Sequence, residues 1–298
     1  MSAWQIDSSR GQFCNWTDSS WVALVGFTFA CLATHAHAEP ASPGVRGSLA
    51  QPLVVGEQFD VESDILHERR HINVYSPQSG IASAPRSLPV LYMPDGGLEE
   101  DFLHVAGLVQ VLVGNGSMRP FLLVGIENTQ RRRDLTGPTL VASDRAIAPQ
   151  VGGSQAFRDF IRRELKPEIG RRYAVTGESA VMGESLAGLF VIETLIVEPD
   201  LFDAYLAFDP SLWWNNQHWL TSKLPLPVDR SKLAHKLLYL GASGEAEPPG
   251  ATTKFCSRWR DQAPEYRRCV SEDFNEERHA TIYHPAALRG LRMILGPG

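Results

Sequence analysis

The chain has 298 residues, of which 43% are hydrophobic and 21% charged, and its formal net charge is -6. This is an ordinary globular composition with enough apolar material for one large core. The net charge is negative, and basic residues are not interleaved with aromatic ones. Both features argue against a nucleic acid or an anionic membrane surface as partner.

The amino-terminal residues have the pattern of a secretory signal. Residues 21–34 form an apolar run, and residues 36–38 have the small-x-small form of a signal-peptidase site. A membrane anchor is the alternative, but the run is short for crossing a bilayer. We expect residues 1–38 to be a signal peptide, residues 39–56 a flexible lead-in and residues 57–298 the folded domain. The protein would be periplasmic or secreted, without a stable membrane anchor after signal removal.

Cysteine usage agrees with export. Of four cysteines, Cys14 and Cys31 would leave with the signal, and Cys256 and Cys269 would remain. An even remainder in an exported chain predicts a disulfide. Two unpaired buried thiols are the alternative.

A zinc-protease pattern lies between the first two predicted strands. Polar and apolar residues alternate at 58–63 and 71–75, which predicts an antiparallel hairpin. His67 to His71 between them match H-E-x-x-H, but that site needs a helix and a third ligand. His71 instead opens an alternating strand. The segment is typical of a charged turn, and we predict neither a metal nor a cofactor.

A glycine-rich turn follows the next apolar segment. Leu88–Pro94 predicts a strand that leads into Asp95-Gly96-Gly97. Glycine lets a backbone amide come close to a substrate carbonyl, as an oxyanion hole requires. We predict Gly97 as such a donor, with Leu98 as the alternative donor and a plain tight turn as the alternative structure.

A polar loop with three consecutive arginines, Asn128–Thr136, follows a predicted strand. Ligands bind beyond the carboxyl ends of parallel strands, so this loop should overhang a site. The arginines favour recognition of an anionic or polyhydroxy group; a solvated loop held by Asp134 is the alternative. The other elements predicted in this part of the chain are helices near 99–112 and 154–165, a strand at 121–127 and an irregular stretch at 139–152.

A short apolar run, a small-residue turn and a long apolar segment succeed one another in Ala180–Phe190. This order predicts a strand, a sharp turn and a helix, as in the nucleophile elbow of α/β-hydrolases. Gly-Glu-Ser occurs twice, ending at Ser179 and at Ser185. Only Ser185 has a strand before it and a helix after it, with Pro199 as the stop. Ser185 is the predicted nucleophile, and the amide of Leu186 the second oxyanion-hole donor.

The rest of the chain continues the alternation of strands and helices. Strands are predicted at 202–208 and 236–240, and an amphipathic helix at 285–295. Trp213 and Trp214 follow the first of these strands, and two aromatic residues at a strand end favour a pocket wall, although either could belong to the core. The alternation predicts an α/β fold with a mostly parallel sheet covered by helices on both faces.

A serine nucleophile needs a histidine base and an orienting carboxylate, which in this fold follow in the order serine, acid, histidine. Near the last strand stand His279, in a polar turn, and His284, at the start of the terminal helix. We predict His279 as the base. Glu245 is the predicted acid because it follows the strand after the one that leads to Asp209; Glu247 is second and Asp209 third.

Several motifs together resemble one family. They are Tyr92–Gly97, Asn128–Thr136, Gly183–Phe190, Asp209–Trp214 and His279–Leu291. The combination resembles the esterase D-like family of α/β-hydrolases, which includes esterases that open ferric enterobactin-type trilactones, S-formylglutathione hydrolase and mycolyltransferases. The resemblance covers residues 58–295 and departs from the family pattern at Ala187, where a second glycine is usual.

The resemblance implies Ser185 as nucleophile, His279 as base and Gly97 as oxyanion donor. It also implies that Arg131 or Arg133 contacts the substrate. The implied fold for residues 57–298 is an α/β-hydrolase catalytic domain.

We therefore predict an exported serine hydrolase that cleaves carboxylic esters of small molecules through an acyl-enzyme. Acyl transfer to a sugar or lipid alcohol is the alternative within enzymes. A catalytically inactive binding protein on the hydrolase scaffold is the alternative outside them.

Overall fold

A single sheet of eight strands runs through the part of the chain that a computed structural model describes. The structure describes residues 50–77, 87–225, 230–233, 235–262 and 268–297. The predicted signal peptide, residues 1–38, lies outside them, as do Cys14 and Cys31. All elements given below belong to the unit Leu53–Gly298.

The strands come in two groups, an amino-terminal hairpin and a parallel series. Their bounds are β1 Glu57–Ser63, β2 Glu68–Tyr75, β3 Leu88–Pro94, β4 Leu122–Ile126, β5 Val175–Glu184, β6 Ala204–Phe208, β7 Leu237–Ser243 and β8 Cys269–Phe274. Across the sheet they follow the order β1-β2-β4-β3-β5-β6-β7-β8. β2 pairs antiparallel with β1 and β4, and all other neighbours pair in parallel. The predicted hairpin and the mostly parallel sheet are confirmed.

Helices cover both faces of this sheet. Their bounds are α1 Phe102–Gly114, α2 Arg131–Asp134, α3 Ala142–Ala146, α4 Ser154–Phe160, α5 Lys166–Arg172, α6 Leu186–Val197, α7 Trp214–Thr221, α8 Ala251–Gln262 and α9 Tyr283–Ile294, with a π-helical turn at Ile161–Leu165 and a 3-10 turn at Arg230–Leu233. Leu91 on β3 packs in one core with α1 and α9, whereas Tyr92 packs in the other with α4 and α6. Successive strand residues point to opposite faces, which is why both cores draw on the same strands.

The helix after the elbow is enclosed on every side. All residues from Leu186 to Ile196 are buried, as expected for a helix without a polar face. Its one buried carboxylate, Glu193, accepts hydrogen bonds from Arg158 at 2.9 Å and from Ser154 at 2.5 Å. α6 therefore fixes the base of the elbow rigidly.

The helix predicted near 154–165 extends further, past Pro167. α4, the π-helical turn and α5 continue one another from Ser154 to Arg172, and Pro167 occupies the first turn of α5. A proline inside a continuous helix removes one backbone hydrogen bond, and the π-helical turn Ile161–Leu165 directly before Pro167 is a local irregularity in that hydrogen-bond pattern. The stretch 139–152, predicted to be irregular, contains α3, and α1 begins at Phe102 rather than near residue 99.

The H-E-x-x-H segment lies on a turn and a strand. His67 is in the hairpin turn with a positive φ of 55°, and Glu68 to His71 belong to β2. Glu68 pairs with Arg70 and Arg133, each at 2.7 Å. The segment therefore belongs to a charged hairpin, as predicted.

Two cysteines face each other near the edge of the sheet. Cys256 on α8 and Cys269 on β8 have Cα atoms 5.5 Å apart, a spacing that a disulfide accommodates. Within the residue ranges given above, the structure contains no helix with both the length and the hydropathy of a transmembrane span.

Candidate active site

Ser185 stands in the sharp turn between β5 and α6. Its φ is 58° and its ψ is -118°, a conformation that is strained for a residue with a side chain. A Cβ on Gly183 would lie 2.6 Å from Cβ of Ala187, and one on Gly188 would lie 3.1 Å from Cα of Pro210. The turn has room for the methyl group of Ala187 because residue 183 has no side chain.

The carboxyl ends of β5 and β6 and the loop before α9 bring three side chains together in one hydrogen-bonded series. Oγ of Ser185 lies 3.1 Å from Nε2 of His279. The other ring nitrogen, Nδ1, lies 3.1 Å from Oδ2 of Asp209. Because β5 and β6 pair in register, with Glu184 opposite Phe208, the residues that follow them emerge side by side. His279 reaches them from the loop before α9.

Asp209 is a buried and fully engaged carboxylate. Its side chain is 1% exposed, and it accepts hydrogen bonds from the backbone N–H of Ser243 at 2.6 Å and from the Ser243 hydroxyl at 2.5 Å. Burial alone would raise the pKa of Asp209, but the hydrogen bonds from His279 and Ser243 outweigh it and hold the pKa below its ordinary value. In turn, the hydrogen bond to Asp209 raises the pKa of His279.

Glu245, predicted as the acid, contacts the histidine elsewhere. Its Oε2 accepts a hydrogen bond of 3.1 Å from the backbone N–H of His279 and not from the ring. Glu245 follows β7, which does not pair with β5, whereas β6 is the direct neighbour of β5. Asp209, the third choice, is the carboxylate at Nδ1. His284, the alternative base, is 2.9 Å from His104 instead.

The two predicted oxyanion donors differ in their availability. Leu186 opens α6, where a first-turn amide has no intrahelical acceptor, and it lines the pocket around Ser185. The Gly97 amide instead donates to Oε2 of Glu100 at 2.7 Å, and Gly97 is not among the pocket residues. Leu98 lines a separate hollow beside Phe102. A nearby carboxylate therefore occupies the N–H of Gly97 in this structure, and Gly97 stays a prediction as an oxyanion-hole donor.

A cavity of about 730 Å³ opens in front of Ser185. Besides Leu186 and the three residues in series, its lining consists of Arg131, Arg132, Ile147, Pro210, Ser211, Trp213, Glu245, Ala246 and Glu247. Trp213 is 36% exposed and forms part of the wall, as predicted. Trp214 is 2% exposed, and its indole N–H donates to the carbonyl of Gly137 at 3.0 Å. Trp214 therefore belongs to the core and not to the pocket wall.

The arginine loop divides between the pocket and the scaffold. Arg131 lines the pocket and binds Asp95 through two hydrogen bonds of 2.7 Å and 2.8 Å. Arg133, the other predicted substrate contact, points away and pairs with Glu68 at 2.7 Å and Asp134 at 2.6 Å. Arg132, which was not predicted, lines the pocket in its place. Residues 131 and 133 lie about 200° apart around α2, so they face opposite sides.

A second carboxyl group lies beside the reacting nitrogen. Oε1 of Glu184 is 3.2 Å from Nε2 of His279, and its side chain is 17% exposed. Burial raises the pKa of Glu184 to about 7, although the charges of His279 and Arg131 act against the shift. Sequence reasoning treated Glu184 only as the middle residue of the motif. The signal available in the sequence was a glutamate directly before the predicted nucleophile.

A hydroxyl, an imidazole and a buried carboxylate in hydrogen-bond series, at the carboxyl ends of a mostly parallel sheet, define a serine hydrolase with the α/β-hydrolase fold. The chain belongs to the family described as "Putative esterase", whose sequence profile matches residues 63–286. It is a carboxylic ester hydrolase. The resemblance identified from the sequence motifs is confirmed.

Relatives and solved structures agree with this assignment. The ferri-bacillibactin esterase BesA of Bacillus subtilis is 29% identical over 262 residues, a match that covers 78% of this chain and 87% of the relative. A siderophore enterobactin esterase of Emericella nidulans is 38% identical over 218 residues, covering 63% and 66%. The crystal structure of an IroE-like serine hydrolase from Shewanella oneidensis matches with a TM-score of 0.67 at 29% identity, covering 80% of both chains.

Proposed function

We propose that this esterase works through an acyl-enzyme on Ser185, with His279 as general base and Asp209 as the carboxylate that orients it. The observation that carries the proposal is the pair of 3.1 Å contacts that the two ring nitrogens of His279 make, one to Ser185 and one to Asp209. A base within this distance of a hydroxyl is in reach of its proton.

In the proposed reaction, Nε2 of His279 removes the proton of Ser185 while Oγ attacks the ester carbonyl. The negative charge on the carbonyl oxygen is stabilised by the N–H of Leu186 at the amino end of α6. His279 then protonates the leaving alcohol, and an acyl-enzyme remains. Water, activated by the same imidazole, attacks the acyl carbon and releases the acid and free Ser185.

Glu245 acts in this scheme as a positioning residue. Its carboxylate accepts a hydrogen bond from the backbone N–H of His279 and so holds the loop that carries this histidine. From that loop the imidazole must reach both Ser185 and Asp209. The hydrogen bonds from Ser243 to Asp209 play the corresponding part for the carboxylate. Both sets of contacts keep the imidazole in the orientation that proton transfer requires.

The proposed substrate is a small-molecule ester, and siderophore esters are the first class to test. The relatives named above include a ferri-bacillibactin esterase and a siderophore enterobactin esterase. We further propose that the protein is exported, on the strength of the signal-like residues 1–38 and the close approach of Cys256 and Cys269.

A fluorophosphonate probe tests the nucleophile directly, because it forms a stable covalent bond with an activated serine. Wild-type protein and Ser179→Ala should be labelled stoichiometrically, whereas Ser185→Ala should not. Ser179 is the matched control, since it ends the other Gly-Glu-Ser copy and its hydroxyl accepts a hydrogen bond from Lys166. Labelling that survives Ser185→Ala would refute the proposal.

A further inference from the structure

Charged side chains line the pocket in unequal numbers. Arg131 and Arg132 are its cations besides the titratable His279, and Asp209, Glu245 and Glu247 are its carboxylates. The charge that an incoming substrate meets depends on which of these groups are already paired.

The two arginines offer less positive charge than their number suggests. Both oxygens of Asp95 bind the guanidinium of Arg131, and the Asp95 side chain is only 9% exposed. The charge of Arg131 is therefore compensated within the protein. Arg132 donates a hydrogen bond to the carbonyl of Ile147 and has no carboxylate partner among the described residues. It is the single uncompensated arginine of the pocket.

The carboxylates are the larger set. Asp209 faces His279, which balances its charge when the imidazole is protonated. Glu245 and Glu247 are exposed on the segment between β7 and α8, and in the described part of the chain neither forms an ion pair. Two open carboxylates therefore face one open guanidinium, and the carboxyl group of Glu184 lies close to the proposed reacting centre, 3.2 Å from Nε2 of His279.

We propose that this pocket selects uncharged or cationic esters and disfavours polyanionic ones, with Glu245 and Glu247 as the residues that set this preference. The inference rests on the proposed esterase activity and specifies its substrate class. Among the siderophore esters proposed as substrates, a ferric tris-catecholate with three negative charges would therefore enter against the field of the pocket. An uncharged ester would not.

The size of the effect depends on ionic strength. A field focused in a cleft changes association with charged ligands by about tenfold or more, and salt at about 0.15 M screens exposed charges beyond about 8 Å. For one charge on the substrate we expect a ratio of kcat/KM values of about threefold to tenfold at low salt. The ratio should shrink as salt is added.

The carboxylate of a p-nitrophenyl succinate would displace its own leaving group without enzyme, so the test uses three ethyl esters of matched length and follows the acid that they release. Their acyl groups are butyrate (uncharged), hydrogen succinate (anionic) and the trimethylammonium analogue of butyrate (cationic). The readout is kcat/KM relative to butyrate, measured in the same protein at low and at high salt. The wild type should show a relative value below one for succinate and of one or above for the cation.

Substitutions of single charges assign the preference to the pocket. Glu247→Gln should raise the succinate ratio about threefold or more, and Arg132→Gln should lower it. Asp64→Gln is the matched control, because Asp64 is exposed on the β1–β2 turn and outside the pocket. It changes the net charge equally and should leave the ratio unchanged.

Two results would overturn the inference. One is a wild-type enzyme that hydrolyses succinate as fast as butyrate at low salt; the other is a Glu247→Gln ratio that matches the wild type. Butyrate hydrolysis would persist in both, so the proposed function would stand. If the enzyme hydrolysed none of the three esters, the proposed function would be overturned together with the inference.

Discussion

Oε1 of Glu184 lies 3.2 Å from Nε2 of His279, the nitrogen that also lies 3.1 Å from Oγ of Ser185. One ring nitrogen thus faces both the hydroxyl that it deprotonates and a carboxyl that the proposed steps do not use. Since burial raises the pKa of Glu184 to about 7, this carboxyl is partly ionised at neutral pH. Its negative charge stabilises the protonated imidazole and so opposes the neutral form that acts as base.

Glu184→Gln is expected to move the acid limb of the kcat/KM profile to lower pH. The pKa of His279 is raised first by its hydrogen bond to Asp209 and then by the charge of Glu184. Activity rises as pH passes that pKa, because the neutral imidazole is the base. Removing the Glu184 charge lowers the pKa, so the neutral base appears at lower pH. Arg131, Asp95 and Asp209, the other charged groups that face Glu184, remain in place.

The control for this prediction is Glu178→Gln, in the other Gly-Glu-Ser copy. Glu178 lies on β5, the same strand as Glu184, and pairs with Arg119 at 2.7 Å. It is outside the pocket. Glu178→Gln should leave the acid limb of the kcat/KM profile at the same pH as in the wild type. Measurements of kcat/KM against pH on a soluble ester compare the two variants. Equal shifts of the acid limb in both would show that the effect does not come from the carboxyl group beside Nε2 of His279.

The identity of the acid is tested by comparing Asp209→Asn with Glu245→Gln. Asparagine cannot stabilise the imidazolium and favours the wrong ring tautomer, so kcat should fall by about 10³-fold to 10⁴-fold. Glu245→Gln keeps an oxygen that accepts the backbone N–H of His279, and kcat should fall by about tenfold or less. Steady-state kinetics on one ester measure both. The reverse ranking would return the acid to Glu245.

The elbow was predictable because its signals are local. The apolar run before Ser185, the small residues around it and the apolar helix after it all lie within Ala180–Phe190. The sequence also predicted His279 as the base, and its Nε2 lies 3.1 Å from Oγ of Ser185. The proposed acid, Asp209, was only the third choice from the sequence because Asp209 and Glu245 both follow strands. Only the spatial order of β5, β6 and β7 shows which of the two reaches the ring.

Other errors came from orientation, which a run of like residues does not reveal. Arg131 and Arg133 share a four-residue helix but point to opposite sides. Trp213 and Trp214 are adjacent, yet one is at the pocket and the other in the core. In each pair the side that a residue faces depends on the packing of its element against the rest of the fold.

Gly183→Ala should lower the free energy of unfolding by about 1–3 kcal/mol. An added Cβ would lie 2.6 Å from Cβ of Ala187 and 2.8 Å from its carbonyl carbon, so the strand and helix must separate. Gly177→Ala is the matched control, since it precedes the other Glu-Ser pair on β5 and its Cβ meets nothing within 4 Å. It should change stability by less than about 0.5 kcal/mol. Urea unfolding at constant m gives both values.

Adding Ala187→Gly to Gly183→Ala sharpens this prediction. The second change removes the methyl contact but not the contacts with the backbone of residue 187, so only part of the lost stability should return. Full recovery would mean that the side chain alone causes the strain. No destabilisation by Gly183→Ala would contradict the close approach of β5 and α6.

The cysteine pair should contribute about 3 kcal/mol to stability if Cys256 and Cys269 are bonded, because the bond closes a loop over a sequence separation of 13 residues. The chain from Glu39 onward, with both cysteines replaced by alanine, should therefore lose about that much in urea unfolding. A reductant should bring the parent protein down to the stability of the double variant while leaving the variant unchanged. Thiol titration of the denatured parent protein should find no free thiol. Two free thiols, together with a reductant that has no effect, would establish the alternative, a pair of buried thiols packed side by side between α8 and β8.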